Sequence, residues 1–181
     1  MDERILLPRQ VMFELTGLPL LAAYLDTMFS CKVVDYLMMR YYVGQRFDGA
    51  SVLWQTDENG NCVGGDVAMI DEKGRIEYVI RLLENSAVYS SHDIGFFGGH
   101  LIVNSSTIGV VQDCLQALIF AGQAPNITWL AVGEDRLLTE QKINKLIGKK
   151  VILLPRCIES ETWSSIAKKF RGEVYIKTLA E

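Results

Sequence analysis

Two apolar segments of the sequence end in polar clusters that could bind an anionic ligand. Residues 100–103 run into Asn104, Ser105 and Ser106, and residues 151–154 run into Pro155 and Arg156. A helical pattern follows each segment, which predicts two strands of a parallel α/β sheet. Ligands bind at the carboxyl edge of such sheets. The sequence therefore predicts a ligand cleft there, formed by Asn104, Ser105, Ser106, Gly133, Glu134, Arg156, Glu159 and Glu161.

The acidic members of this set could carry a different chemistry. Glu134 follows the second predicted strand, and Glu159 and Glu161 follow the third. Carboxylates brought together at strand ends could hold Mg²⁺, which prefers anionic oxygen. Acids at helix starts also complement the helix dipole, and this interpretation needs no metal.

The polar cluster before the helix predicted from Thr107 also has two interpretations. It could bind phosphate, or it could simply cap that helix. Capping is the favoured interpretation.

Lysines form the basic clusters of the chain and are the candidates for contact with nucleic acid. They lie near predicted helix ends, at Lys142, Lys145, Lys149, Lys150, Lys168 and Lys169, with Arg171 nearby. Lysines at such positions are usually solvated partners of the helix dipole. The net charge of −4 provides no global positive field. We therefore expect weak, salt-sensitive nucleic-acid binding at most, with a protein partner as the alternative.

The cysteines and histidines do not form a metal-binding motif. The four cysteines are irregularly spaced, and only two histidines accompany them. Structural zinc sites need closely spaced ligand pairs, so the thiols are expected to be reduced and no cofactor is expected. Residues 1–4 are not a basic leader before an apolar run, and no apolar stretch is long enough to span a bilayer. A cytoplasmic protein without membrane contact is expected.

The elements that position these residues change in type along the chain. Helices are predicted around 18–25 and over 31–43, then three short strands at 51–55, 63–70 and 75–80, in which Asn59-Gly60 is typical of an antiparallel hairpin. Strands at 101–103, 128–132, 151–154 and 173–177 then alternate with helices at 107–120, 139–147 and 161–170. This alternation predicts a parallel sheet with right-handed crossovers. The fold class is thus α/β, with a helical and antiparallel-meander subdomain (1–90) before an α/β domain (91–181).

The segment from Phe96 to Phe170 resembles the Toprim domain of bacterial primases and topoisomerases, in the form found in primase-like proteins of mobile elements. Earlier residues extend the resemblance, and the match covers most of the chain through many weak similarities. The residues that carry it are Gly17-Leu18-Pro19-Leu20, Tyr41-Tyr42-Val43-Gly44, residues 52–57 with Asn59-Gly60, Gly65-Asp66-Val67-Ala68-Met69, Phe96-Phe97-Gly98-Gly99-His100-Leu101, Trp129-Leu130-Ala131-Val132-Gly133 and Trp163.

The resemblance implies a Toprim-like fold with a metal-binding centre at its strand ends. In the family the first strand ends in a Glu, and the second ends in Pro-Asp with a further acid two residues on. Here these positions hold Asn104, Arg156 and Ile158. A cationic side chain where a divalent cation should lie opposes binding of that cation, so the metal and the catalytic residues are expected to be lost.

The leading hypothesis is therefore a catalytically degenerate, Toprim-like and primase-related protein of a mobile element. It would act as a nucleic-acid or protein interaction module. One alternative is an active Mg²⁺-dependent phosphoryl-transfer enzyme, a primase or nuclease, with a rearranged site at Glu134, Glu159 and Glu161. A second alternative is a phosphate or nucleotide sensor at Asn104, Ser105 and Arg156.

Overall fold

The structure is a computed structural model that describes residues 20–46, 48–71, 73–82, 95–133 and 137–179. Its helices are α1 (Leu20–Asp26), α2 (Cys31–Arg40), α3 (Cys114–Gln123), α4 (Glu140–Asn144) and α5 (Ser160–Lys169), with short 3₁₀ helices at Gly99–Leu101 and Cys157–Glu159. Its strands are β1 (Val43–Gln45), β2 (Ser51–Thr56), β3 (Cys62–Ile70), β4 (Ile76–Leu82), β5 (Phe96–Phe97), β6 (Thr107–Val111), β7 (Thr128–Ala131), β8 (Lys150–Leu154) and β9 (Val174–Ile176).

The described strands form one nine-stranded sheet in the order β4-β3-β2-β5-β7-β6-β8-β9, with β1 paired to β2. The pairs that involve β1 to β5 are antiparallel. Strand β6 pairs in parallel with β7 and β8, and β8 pairs in parallel with β9. The predicted class, an α/β fold whose parallel sheet is preceded by an antiparallel meander, is confirmed.

The turns of the meander form for local reasons that the sequence contains. Gly60 and Gly74 adopt positive φ angles of 82° and 77°, a conformation that glycine reaches without steric cost. In the first turn, Asp57 Oδ1 accepts hydrogen bonds from the backbone N–H groups of Asn59 and Asn61, at 2.9 and 2.8 Å. Asp71 Oδ1 accepts two such bonds in the second turn. The predicted hairpins are confirmed.

Helices cover the sheet on both faces. Helices α1, α2 and α3 pack on one face around a buried cluster that includes Leu25, Leu37, Leu118 and Trp129. On the other face, a cluster that includes Trp163 of α5 and Ile143 of α4 packs on β6, β7 and β8. None of the helices in the described ranges is long and apolar enough to cross a membrane.

Strand β5 joins the antiparallel and parallel strands. It pairs with β2 on one side and, through Phe97 and Ala131, with β7 on the other. The ring of Tyr41 stacks on Phe97 with 5.2 Å between centroids, and its hydroxyl donates to Trp129 O at 2.9 Å. These two contacts of Tyr41 join α2 to strands β5 and β7.

The segment before α3 differs from the prediction. Residues 101–103 were expected to form a strand and 107–120 a helix, whereas Gly99–Leu101 is a 3₁₀ helix, Thr107–Val111 is strand β6, and α3 begins at Cys114. β6 consists of β-branched residues around Gly109, which favours a strand. A Cβ atom on Gly109 would lie 2.3 Å from the ring of Trp129, so only glycine fits against that ring. The strand therefore ends at Val111 and not at Val103.

Candidate functional site

The register of the parallel strands decides which residues share an edge of the sheet. Val111 pairs with Leu154 at one end of β6, and Thr107 pairs with Lys150 at the other. Asn104, Ser105 and Ser106 precede β6 and so lie at the amino edge, whereas Arg156 follows β8 at the carboxyl edge. The predicted cleft that joined these residues is therefore wrong, because the length of the strands separates its two halves.

The polar cluster before β6 does not cap a helix, because a strand follows it. Ser105 Oγ donates to Leu101 O at 2.7 Å and lies 2.7 Å from Thr128 Oγ1. Asn104 and Ser106 are exposed. The phosphate site expected at a helix N-terminus is wrong for the same reason, and these residues are polar groups of the amino edge.

Gln112 occupies the position at the carboxyl end of β6. It is buried, with 2% of its surface exposed. Its Nε2 donates to Gly133 O at 2.9 Å, and the backbone N–H of Gly133 donates back to Gln112 O at 3.0 Å. A neutral amide therefore joins the carboxyl ends of β6 and β7. Gly133 does lie at the carboxyl edge, as the sequence predicted.

Arg156, the residue predicted to bind an anion, is already paired with a carboxylate. Its Nη2 lies 2.9 Å from Glu159 Oε1, and its Nε lies 3.2 Å from the same oxygen. Asp113 is the N-cap of α3 and accepts a 2.7 Å hydrogen bond from the backbone N–H of Gln116. Burial raises the pKa of Asp113, and the hydrogen bond from Gln116 and the charge of Arg156 offset part of that rise. The local positive charge of Arg156 is thus largely balanced within the protein.

The remaining residues of the predicted acidic set do not converge with Glu159. Glu161 is exposed in the first turn of α5, and Ile158 is 86% exposed in the preceding 3₁₀ helix. Glu134 lies outside the described residues. Within the described ranges, no three His, Cys, Asp or Glu side chains group together as a metal site.

Asp113 also lines a small pocket with Asp66, which is not among the predicted site residues. The pocket lies between the meander and the start of α3, with Cys114 and Leu53 among its lining residues. Its cavity volume of about 20 Å³ is close to the space of a single water molecule. A nucleotide does not fit there. Asp113 could have been found as a helix N-cap, but Asp66 lies within an apolar strand and gives no such signal.

Two of the predicted nucleic-acid contacts are engaged within the protein, and one of them is buried. Lys142 is only 4% exposed, its Nζ donates to Val132 O at 3.4 Å, and the ring centroid of Phe96 lies 5.7 Å away. Its assignment as an exposed contact is wrong, because the inward face of α4 carries it. Lys145 forms an ion pair with Glu58, with 3.4 Å between Nζ and Oε2.

The other predicted lysines gather at the amino edge. Lys149 Nζ donates to Val103 O at 3.2 Å, and Lys150 starts β8. Helix α5 leaves β8 at the carboxyl edge and returns the chain to the start of parallel strand β9, so its last residues, Lys168 and Lys169, and the following Arg171 lie near the amino edge. All three are exposed.

Comparison with known proteins identifies one family and several solved structures of similar fold. A family model described as "Domain of unknown function (DUF6371)" matches residues 20–157. The chain is similar to the DnaG primase catalytic domain bound to ssDNA, with a TM-score of 0.64 and 11% identity over 96% of this chain and 69% of that one. It is also similar to Aquifex aeolicus primase (zinc-binding and RNA polymerase domains), with a TM-score of 0.54 and 20% identity over 73% of this chain and 34% of that one.

A third similar structure is the RNA polymerase domain of Mycobacterium tuberculosis primase DnaG in complex with double-stranded DNA. Its TM-score is 0.50 and its identity 13%, over 92% of this chain and 58% of that one. No curated protein matches the chain. The chain thus spans about a third of the Aquifex chain it matches, and at these identities the similarities show a primase-like fold.

Proposed function

Because the chain belongs to the DUF6371 family and has a primase-like fold, we propose that it is a catalytically degenerate, Toprim-like protein that binds nucleic acid without processing it. We propose that it evolved from a primase-like protein of a mobile element. Two of the similar structures are described as bound to single-stranded or double-stranded DNA. Nucleic acid is accordingly the partner that we propose for this chain.

The observation that carries the proposal is the pair Gln112 and Arg156 at the carboxyl ends of β6 and β8. These strands are neighbours, and their ends lie side by side. The Toprim resemblance requires a Glu after the first strand and an Asp after the second. With the register of β6 corrected, the Glu position holds Gln112, which has the shape of Glu without its charge. Arg156 and Ile158 hold the two Asp positions. A divalent cation needs anionic oxygen ligands, and these positions provide none.

Neighbouring acids do not replace the missing ligands. Glu159 would have to leave its ion pair with Arg156, whose charge would then face the metal. Asp113 is held by its capping bond to Gln116, and burial already disfavours its charged form. Without a divalent ion at the transferring phosphate, the main stabiliser of transition-state charge is missing. The phosphate-sensor alternative is not proposed, because its residues lie at two different edges.

Rebuilding the metal centre tests this proposal. The variant Gln112→Glu/Arg156→Asp/Ile158→Asp restores three carboxylates and should bind Mn²⁺ with about millimolar or tighter affinity in calorimetric titration. The original protein should show no one-site binding. A matched control, Lys149→Asp/Lys150→Asp, adds carboxylates at the opposite edge and should gain none. Circular dichroism establishes that each variant is folded.

The enzyme alternative makes the opposite prediction. Tight one-site Mn²⁺ binding by the unmodified protein, lost in Glu159→Gln or Glu161→Gln, would overturn the degenerate interpretation. Primer synthesis or nicking that requires Mg²⁺ and disappears in the same variants would do so independently.

A further inference from the structure

We infer that the amino edge of the parallel sheet binds single-stranded nucleic acid, with phosphates on its basic residues and bases stacked on two exposed tyrosines. The inference rests on the proposed function, because it gives the nucleic-acid partner a place on the molecule. We call this surface the amino-edge ridge. Its residues are Tyr36, Arg40, Asn104, Ser106, Lys149, Lys150, Lys168, Lys169, Arg171 and Tyr175.

The basic residues of the ridge concentrate positive charge on an acidic protein. Lys149 and Lys150 lie at the start of β8. Three more, Lys168, Lys169 and Arg171, lie between the end of α5 and the start of β9. Glu173 pairs with Lys150 at 3.6 Å and Glu140 pairs with Lys169. These pairs are exposed, and exposed pairs contribute little energy, so phosphate groups can replace the carboxylates. The chain as a whole carries −4, so this edge is the side that a polyanion meets favourably.

Each end of the ridge carries an exposed tyrosine with a cation over its ring. Tyr175 on the outer strand β9 is 53% exposed, and Lys150 Nζ lies 5.0 Å from its ring centroid. Tyr36 on α2 is 52% exposed, and the Arg40 guanidinium lies 5.6 Å from its centroid. An aromatic face beside a positive charge is the combination on which bases of a single strand stack while their phosphates are neutralised.

The strands beside which the two tyrosines lie are spaced to suit a short single strand of nucleic acid. Arg40 Nη2 lies 3.4 Å from Thr128 Oγ1, which places the Tyr36 end at the start of β7. Strands β7, β6, β8 and β9 are consecutive neighbours. Three spacings of about 4.8 Å therefore separate the axes of β7 and β9 by about 14 Å. Exposed Asn104 and Ser106 lie between them, before β6. A site for about four nucleotides fits this length.

The exposed tyrosines favour a single strand over a duplex or an acidic protein as the partner. A duplex keeps its bases stacked inside, so it can use the lysines but not the aromatic faces. An acidic protein would likewise depend on charge alone. Dependence on both kinds of residue identifies a single strand.

The test is fluorescence anisotropy with a labelled thymidine oligonucleotide of about 12 nucleotides and a duplex of equal length. We expect Tyr36→Leu/Tyr175→Leu to weaken single-strand binding about 10-fold and duplex binding less than about 2-fold. Lys149→Gln/Lys150→Gln should weaken both and lower the salt slope by about 1.5. The matched control is Lys73→Gln/Arg75→Gln in an exposed turn of the meander, which should change neither. Melting temperatures verify that the variants are folded.

Each remaining outcome overturns the inference. If the unmodified protein binds the oligonucleotide but neither pair of substitutions weakens binding, the nucleic acid lies elsewhere and the proposed function stands without this site. Equal losses for single strand and duplex in the tyrosine variant would exclude stacking. No binding of either probe would overturn this inference together with the nucleic-acid part of the proposed function, while the Mn²⁺ result would still decide whether the centre is degenerate.

Discussion

The two edges of the parallel sheet differ in how their charges are satisfied. At the carboxyl edge, Gln112 bonds to Gly133 and Arg156 pairs with the partly buried Glu159. At the amino edge, cations such as Lys168 and Arg171 are exposed to solvent. The polar groups of the first edge are thus bonded to one another, whereas cations of the second are open to solvent. In a fold of this class a ligand is expected at the carboxyl edge. The more accessible charged surface of this sheet is therefore its amino edge and not the edge where a ligand is usually found.

The comparison depends first on the register of β6, which decides which residues reach each edge. Gly109→Ala should lower the free energy of unfolding by about 3 kcal/mol, because overpacking a core site has a cost of this order. The added Cβ would meet the Trp129 ring at 2.3 Å. Urea denaturation measures the change. Gly148→Asn is the control and should cost less, because nothing lies within 4 Å of a Cβ there and the strain at its positive φ of 85° is smallest for residues such as Asn. Equal stability of Gly109→Ala and the original protein would contradict the register of β6.

Substitutions at the two edges should affect nucleic-acid binding very differently. Lys149→Glu/Lys150→Glu reverses two charges at the amino edge and should weaken oligonucleotide binding about 30-fold, or about 2 kcal/mol. Arg156→Gln removes one cation at the carboxyl edge and should change binding less than about 2-fold, because Glu159 already balances that charge. Anisotropy titrations at one salt concentration compare them. The distinction between the edges fails if Arg156→Gln has the larger effect.

Tyr41 connects α2, which carries the Tyr36 end of the ridge, to β7. Tyr41→Phe removes the donor to Trp129 O and should cost about 1 kcal/mol of unfolding free energy. Burial raises the pKa of Tyr41 from 10.0 to about 12. Because the folded-state pKa is the higher one, the contribution of this phenol to stability is complete below pH 10.0 and is lost as the pH rises towards about 12. Urea titrations across this range should show the loss in the original protein only. A parallel loss in Tyr41→Phe would assign it to another group.

The smallest expected effect concerns the carboxyl edge. Asn is as good an N-cap as Asp, so Asp113→Asn should change stability by less than about 0.5 kcal/mol at a pH below 3.8. Burial raises the folded-state pKa of Asp113, so its contribution is complete below 3.8 and is lost as the pH rises through the folded-state value. The Asn variant should therefore become the more stable one as the pH increases. Thermal unfolding across that range measures the crossover, and a constant difference would contradict a buried carboxyl at this edge.

The fold could be predicted from the sequence wherever local signals agree. Asn59-Gly60 predicts a hairpin, and the apolar run 151–154 predicts β8, which begins one residue earlier at Lys150. The sequence predicts a helix around Gly109 because the apolar residues there also suit helical spacing. Two local signals favour the observed strand and helix instead: the glycine in the middle of the segment, and Asp113 as a cap before Cys114. The reason for the glycine is its contact with the Trp129 ring, and the sequence does not reveal that tertiary contact.

The site could be predicted only in part. Arg156 and Gly133 lie at the predicted edge, since each directly follows a correctly placed strand. Asn104 was assigned to the wrong edge because an error in strand position moves every following residue. The inward position of Lys142 depends on how α4 packs, which its charge and spacing do not reveal. The sequence also does not show that Glu159 balances the charge of Arg156 or that Glu58 balances that of Lys145, because these pairs form only in the folded protein.

The shortness of β5 has a consequence for how the protein opens. Within the described residues, Phe97 and Ala131 form the single pair by which β5 is joined to the parallel strands. Any motion that parts the meander and β5 from the parallel strands must break that pair. Amide hydrogen exchange at Phe97 and Ala131 should then report the sub-global opening, at rates above those of the β6 amides, which exchange only when the parallel core itself unfolds.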